Sequence, residues 1–397
     1  MGLNVVWVGE LGFPVGWAGV QKTTLILNGM RQYGVNGTVV NTYGIHSREQ
    51  NYNIKTEGSY KNIKYIHASG SPYRSNNFFV RNFRKVWGII NEAFILHSLQ
   101  KKGHLDAVIV QTERFKSIVF YRILSKLFSV PLIMLYVELY SALSTRRGIR
   151  YKIDGYLYEK YGFFLIDGIM PISDYLVDIV RSRNPDLPTL KVPMITDFDR
   201  FIGIEPRLSE KYFLFCSAAA YIEIISFILK AFELLKYADN VWLYLVASGS
   251  DIEMSRLKEE INKNKKSVRI RLFSRIPDSK LTELYANACG LLIPLRPTIQ
   301  DRARFPHKMG EYLASGNPVV TTNYGEVKNY FEDGNTALIA VNYDITEYAE
   351  KMEYILLHPE RAKEIGQNGR MMGLNNFDYK VYGLKIKGFI ELIISGY

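Results

Sequence analysis

The sequence predicts an α/β protein made of two doubly wound, parallel-sheet domains facing each other across a cleft. Three observations carry this reading. Short apolar runs separated by helix-length segments recur along both halves, the pattern of parallel strands covered by helices on both faces. At 397 residues the chain exceeds what one hydrophobic core ordinarily serves. A stretch with two prolines and few regular signals, KVPMITDFDRFIGIEPRLSEK (191–211), divides the two series.

The first series opens with the buried-strand pattern NVVWVG (4–9), followed by a glycine-rich loop, GELGFPVGWAG. A helix follows, with Val20, Leu27 and Met30 near helical spacing before Gly34. Further strands read GTVVN (37–41), DAVIV (106–110), PLIMLYV (131–137) and GIMPIS (168–173). The second series begins with YFLFCS (212–217), a helix through YIEIISFILKAFELLK, and VWLYLVASG (241–249). It continues with SVRIRLF (267–273), a helix carrying Leu281, Leu284, Tyr285 and Ala288, then GLLIPL (290–295) and NPVVTTN (317–323). The final segment, FDYKVYGLKIKGFIELIISG, is helical in pattern and long enough to reach back to the first half. The expected division is therefore 1–198, 199–372, and a C-terminal helix over 373–397.

Composition narrows the class. Hydrophobic residues at 47% and charged residues at 22% describe a globular protein, which excludes disordered and fibrous classes. Cys216 and Cys289 lie far apart with no CxxC or Cys/His cluster, against a zinc site or disulfide framework and for a reducing, cytoplasmic setting. The opening MGLNVVWVGELGFP lacks a basic region and a long apolar run, so no signal peptide is expected. Val6 does not satisfy the myristoylation pattern. The most membrane-like stretch, IVFYRILSKLFSVPLIMLYVEL, is interrupted by Arg122, Lys126, Pro131 and Glu138, so no spanning helix is expected.

The net charge of +11 is uneven: residues 1–200 hold 25 Lys/Arg against 15 Asp/Glu, the remainder 25 against 24. An acidic partner or anionic membrane facing the first half is expected. Within it, NNFFVRNFRKVW (76–87) and STRRGIRYK (144–152) mix rings with arginines, as segments that dock on anionic headgroups do. A solvated basic surface is the plain alternative.

Ligands of doubly wound sheets bind at the carboxyl ends of the strands. One loop there, ARFPHKMGEYLASGNPVV (303–320), stands out. Pro306 suits a first helical position, which puts Lys308 in the first turn and Glu311 one turn on, on the same face. Free N–H groups and the helix dipole favour a phosphate, Lys308 adds a cation, and Glu311 can accept hydrogen bonds from a vicinal diol such as ribose. The combination points to a nucleotide; an ordinary surface ion pair, worth about 0.2–0.5 kcal/mol, is the alternative.

The string RFPHKMGEYLASGNPVVTT resembles the nucleotide-sugar site of glycosyltransferase family 4, a retaining family of the GT-B class with two Rossmann-like domains. GFPVGWAGVQ, ISDYLVDIV, VPMITDFDRF, IPDSKLTELYANACGLLIPL and NYGEVKNYFEDGNTALIA fall in the same order, so the resemblance spans nearly the whole chain. It implies an N-terminal acceptor-binding domain and a C-terminal domain that binds the nucleotide sugar. It also implies that Glu311 holds the ribose, that Lys308 contacts the diphosphate, and that Gly16, Ala18 and Gly19 let backbone amides approach the phosphates. Gly325 and Glu326 would lie near the donor, and the loop Arg275-Ile276-Pro277 would read the base through its backbone. Two departures stand out. The first glutamate of the family's Glu-x7-Glu motif is replaced by Ala303, leaving Asp301, Arg302 and Arg304 as substitutes at the sugar. The family's Gly-Arg … Lys-Gly signal is replaced by CSAAAYIEII, which supplies no cation.

The resemblance implies transfer of a sugar from a UDP- or GDP-sugar to an acceptor hydroxyl with retention, without metal or other cofactor. Lys308 and Arg304 would stabilise the departing diphosphate, and Glu138, ending PLIMLYVE, would orient the acceptor. A bacterial surface polysaccharide growing on a lipid carrier is the implied acceptor. Asp197-Phe198-Asp199 spells the Asp-x-Asp of metal-dependent transferases but lies in the linker, and the six histidines show no ligand spacing. Two alternatives are a two-domain nucleotide-sugar epimerase and a non-catalytic basic protein binding nucleotide or nucleic acid. The first lacks clustered acid/base groups, and the second lacks any recognised nucleic-acid motif, so no nucleic-acid partner is expected.

Overall fold

The computed structural model describes residues 2–16, 18–47, 53–143, 148–204 and 210–397. Trp17, residues 48–52, residues 144–147 of the basic segment 144–152 and residues 205–209 of the linker lie outside them. The chain forms two compact units, one of Met1–Ile195 with Tyr379–Tyr397, the other of Thr196–Asp378.

The first unit runs β1 (Asn4–Gly9), α1 (Ala18–Arg31), β2 (Asn36–Asn41), β3 (Glu57–Tyr60), β4 (Ile63–His67), α2 (Phe78–Lys101) and β5 (Ala107–Gln111). It continues through α3 (Phe115–Leu127), β6 (Leu132–Tyr136), α4 (Ile149–Tyr161), β7 (Gly168–Pro171) and α5 (Asp174–Arg183). Its sheet has the order β3-β4-β2-β1-β5-β6-β7. β1 sits near the middle, with Val5, Val6, Trp7 and Val8 all buried, because both faces are covered and alternation disappears. The sheet departs from the expected all-parallel pattern at one edge, where β3 pairs antiparallel to β4. The two connecting residues explain it: Lys61 and Asn62 both have positive φ, the two-residue turn that folds a strand back on its neighbour. All four residues of β3 are exposed, so no apolar pattern announced it.

The second unit runs β8 (Lys211–Ala218), α6 (Ile222–Leu234), β9 (Val241–Ser248), α7 (Asp251–Asn262), β10 (Ile270–Phe273), α8 (Asp278–Asn287) and β11 (Gly290–Ile293). It continues with α9 (Ile299–Ala303), α10 (His307–Ser315), β12 (Val319–Thr322), α11 (Val327–Tyr330), β13 (Leu338–Ala340), α12 (Ile345–Leu357) and α13 (Pro359–Phe377). The sheet is parallel, in the order β10-β9-β8-β11-β12-β13. The core gathers Phe213, Phe215, Ile228, Phe232 and Leu243 with Tyr348 and Met352 of α12.

Helix α14 (Tyr379–Ser395) belongs to the first unit and lies on α1. Gly29 and Gly383 back onto each other's main chain, leaving no space for a Cβ at either. Ile386, Phe389, Ile390 and Ile393 then join the first core. The buried Lys22 of α1 donates to the carbonyls of Val192 and Pro193 at 3.1 and 3.3 Å, and burial pulls its pKa down to about 7.

Helix α2 is seated through a narrow seam of Gly88, Glu92 and Leu96. Glu92 accepts a 3.0 Å hydrogen bond from the Tyr121 hydroxyl. Burial pushes its pKa up to about 8, against the pull of its hydrogen bonds. With the folded value above the ordinary 4.5, its contribution to stability is full below about pH 4.5 and is lost as pH rises toward 8. Glu92→Gln should therefore stabilise the protein on the order of 1–4 kcal/mol at pH 8 and not at pH 4, measured by denaturant unfolding. Equal effects at both pH values would remove the carboxyl's titration from the account.

Candidate functional site

Helix α10 is amphipathic: Met309, Gly310, Tyr312, Leu313 and Ala314 are buried, while Lys308 and Glu311 are only half-buried. Pro306 is the cap rather than the first helical residue, with ψ of 129°, so the helix starts at His307. Gly316, at φ 77°, ends it in the left-handed region where glycine is favoured. Lys308 is the second residue of the helix, makes no hydrogen bond or ion pair among the described residues, and its charge acts on Glu311 and Cys216.

Glu311 is held rather than free. Arg200 Nη1 donates to Oε1 at 2.8 Å and the Tyr285 hydroxyl to Oε2 at 3.2 Å. Burial raises its pKa above the ordinary value, against the pull of Arg200 and Lys308. A carboxylate has about four acceptor positions, so two contacts leave capacity for a diol. Arg200 also donates to Asp278 at 2.6 Å and to the Thr282 hydroxyl, which fixes its fork between α8 and α10. Sequence reasoning missed Arg200 and Tyr285. A signal exists, since Arg200 lies inside VPMITDFDRF beside the more conspicuous Asp197 and Asp199. The Asp197 side chain accepts from the Asp199 N–H at 3.1 Å and caps a short turn, a structural task. No group of three His, Cys, Asp or Glu spaced to hold a metal occurs among the described residues.

A second cluster surrounds Asp301, which is buried at 1% exposure. The Arg296 backbone N–H and Nε each donate to Oδ2 at 2.9 Å, while Arg296 Nη2 and Arg304 Nη2 donate to Oδ1 at 3.2 and 2.6 Å. Burial alone would raise the Asp301 carboxyl, but the two guanidinium groups hold it below the usual range. Its oxygens are thus committed to cations, and it orients Arg304, whose guanidinium also lies over the Tyr221 ring at 5.5 Å. Ala303 is buried and its methyl side chain offers no polar atom, while Arg302 is exposed. Gly325, at φ 58°, packs so closely on the 301–302 backbone that a Cβ would lie 3.0 Å from the Asp301 carbonyl oxygen. The neighbouring Glu326 is buried.

These loops follow β11 and β12, and the Arg275-Ile276-Pro277 loop follows β10. Arg275 adopts φ 54°, unusual for a residue with a side chain and the kind of backbone outlier that marks ligand loops. Gly16, Ala18, Gly19 and Glu138 lie instead in the first unit. Gly16 meets Val20, where a Cβ would fall 2.6 Å from Cγ2, whereas Gly19 has open space except for Gln111 at 3.7 Å. The loop bearing them is pinned by Asn41, whose side chain accepts from the Phe13 N–H and donates to the Phe13 carbonyl at 3.0 and 3.1 Å. Glu138 is half-buried just past β6, and the Glu10–Arg114 ion pair (3.1 Å) lies past β1 and β5. Carboxylates and one cation thus gather at the carboxyl end of this sheet too.

Residues 198–372 match the family model for glycosyl transferases group 1. No curated protein matches the sequence. Among solved structures, a glycosyltransferase from Rickettsia africae is 17% identical, covers 100% of both chains and superposes with a TM-score of 0.73. Sucrose-phosphate synthase from Thermosynechococcus elongatus is 14% identical over 99% of this chain and 100% of its own, with a TM-score of 0.77. HepE from Anabaena, in complex with UDP and glucose, is 12% identical over 98% of this chain and 100% of its own, at 0.67. At these identities the structures establish the fold, two parallel-sheet α/β units of the GT-B kind. The 198–372 segment, which spans most of the second unit, carries the sequence pattern of group 1 glycosyl transferases.

Proposed function

We propose that the chain is a retaining, metal-independent glycosyltransferase of family 4. On this reading it moves a sugar from a UDP- or GDP-sugar to a hydroxyl of a glycan or lipid-linked acceptor in bacterial surface polysaccharide assembly. It works in the cytoplasm, peripherally on the inner membrane face. The observation that carries the reading is Lys308, a cation with no hydrogen bond or ion pair among the described residues, at the start of α10 with Glu311 one turn along the same face. HepE, solved with UDP-glucose, supports the donor class.

In the reaction the bond between the sugar's anomeric carbon and the diphosphate oxygen breaks as the acceptor oxygen bonds to that carbon. Negative charge grows on the leaving diphosphate, and fixed cations and amides stabilise it most at that stage. On this reading Lys308 and Arg304 supply the cations, and the Arg304–Asp301 hydrogen bond supports a fixed guanidinium. Glu311 holds the ribose, and the loops at Arg275-Ile276 and Gly325-Glu326 complete the donor site. The acceptor proton passes to a phosphate oxygen of the departing group. Gly16, Ala18 and Gly19 add backbone amides, and Glu138 orients the acceptor hydroxyl.

A panel of UDP- and GDP-sugars incubated with the protein tests this. Nucleoside diphosphate release that requires an acceptor and persists in EDTA is the expected result; interconversion of donor sugars alone would make it an epimerase. Glu311→Gln should raise donor KM about 10- to 100-fold, the value of a charge-assisted hydrogen-bond pair. Unchanged KM would remove Glu311 from the ribose.

A further inference from the structure

The outward face of α2 runs against the rule that a surface helix turns its apolar side inward. Phe79, Phe83, Val86, Ile90 and Phe94 recur at helical spacing on the side opposite the buried Gly88, Glu92 and Leu96. Phe79 is 80% exposed, Phe83 69% and Phe94 65%. This stripe extends over most of a 24-residue helix, longer than the scattered single residues normal on a surface. Ile123 and Leu127 of α3, a helix tied to α2 through Glu92 and Tyr121, are exposed as well.

Charge identifies the occupant. The first unit holds 27 Lys/Arg against 14 Asp/Glu, a net +13, whereas the second holds 23 against 25. On α2 itself Arg81, Arg84 and Lys85 stand at i−7, i−4 and i−3 to the buried Gly88, on the inward half of the helix, and Lys101 near its end lies on the side of the stripe. Two copies meeting along this helix would bring two strongly cationic units together. An exposed aromatic stripe on a unit of this net positive charge matches an anionic bilayer surface, where rings enter the headgroup boundary and the unit's cations are drawn to the phosphates. Among the described residues no helix is long and apolar enough to cross a membrane, so the helix lies on the surface.

We propose that the Phe79–Phe94 stripe of α2 is the element by which the first unit docks on an anionic lipid bilayer. This deepens the peripheral membrane contact of the proposed function and rests on it.

Sedimentation of the full chain with vesicles of phosphatidylcholine, with and without phosphatidylglycerol, tests the docking. Binding should need phosphatidylglycerol and weaken as salt shortens the screening length. The triple variant Phe79→Ser, Phe83→Ser, Phe94→Ser should lower the partition coefficient at least about tenfold. Trp87, partly exposed beside the stripe, should give a blue-shifted emission change on these vesicles that is absent in Trp87→Phe. Partition unaffected by the triple substitution or by the anionic lipid overturns the proposal. So does a dimer in sedimentation velocity that the triple variant dissolves, which assigns the face to a second copy. UDP and GDP titrations of the same samples separate the two readings. Nucleotide binding without vesicle binding defeats the docking alone, and vesicle binding without nucleotide binding defeats the donor site alone.

Discussion

Lys308→Ala should lower kcat/KM for the nucleotide sugar about 100- to 1,000-fold, the range for removing one preorganised donor from developing negative charge. The expectation rests on the state of Lys308 without ligand. It is half-buried, lacks a hydrogen-bond or ion-pair partner among the described residues, and stands where the first N–H groups of α10 already favour an anion. The sequence at CSAAAYIEII offers no cation in the position the family uses, so Arg304 is the one other side-chain cation this reading places at the diphosphate. Lys308→Arg should recover part of the loss, since it keeps the charge and changes its geometry. Steady-state kinetics with the melting temperature measured alongside checks both; wild-type kinetics in the alanine variant would take Lys308 out of the diphosphate contact.

The largest loss of stability should come from Asp301→Ala. The carboxylate is buried and accepts from Arg296 and Arg304, so its removal takes away the buried counter-charge that the two guanidinium groups share, while Arg296 keeps only the exposed Glu223 at 3.8 Å as its other acid. Breaking a buried pair this way costs about 3–5 kcal/mol. For a unit of this size that lowers the melting temperature by roughly 6–20 °C. The sign with pH follows from the lowered pKa: the contribution is full above the ordinary 3.8 and fades as acid titrates the carboxyl through its folded value. Scanning calorimetry at neutral and acid pH checks it. A variant within about 1 kcal/mol of wild type at neutral pH would mean that solvent, not Asp301, balances the arginines.

Much of the architecture was legible because buried parallel strands are apolar on both faces. NVVWVG, DAVIV, PLIMLYV and VWLYLVASG needed no partner to be recognised. β3 was not, since its four residues are all exposed and it forms only because a two-residue turn returns the chain. At the candidate site, Lys308 and Glu311 could be read from their spacing, because i and i+3 share a helix face whatever surrounds them. The Arg200–Glu311 contact joins residues 111 positions apart, and no local periodicity encodes it. Helix α2 is the instructive case. Its rings and arginines were visible in NNFFVRNFRKVW, but apolar periodicity ordinarily marks the inward side, and here it marks the outward one.

The return of α14 to the first unit has a consequence for biosynthesis. The second unit is one uninterrupted stretch of chain, whereas the first is assembled from two pieces on either side of it. As the polypeptide leaves the ribosome, the second unit can finish folding while the first still lacks the helix that covers α1. The face of α1 around Gly29 then waits, uncovered, until about 180 further residues have been made.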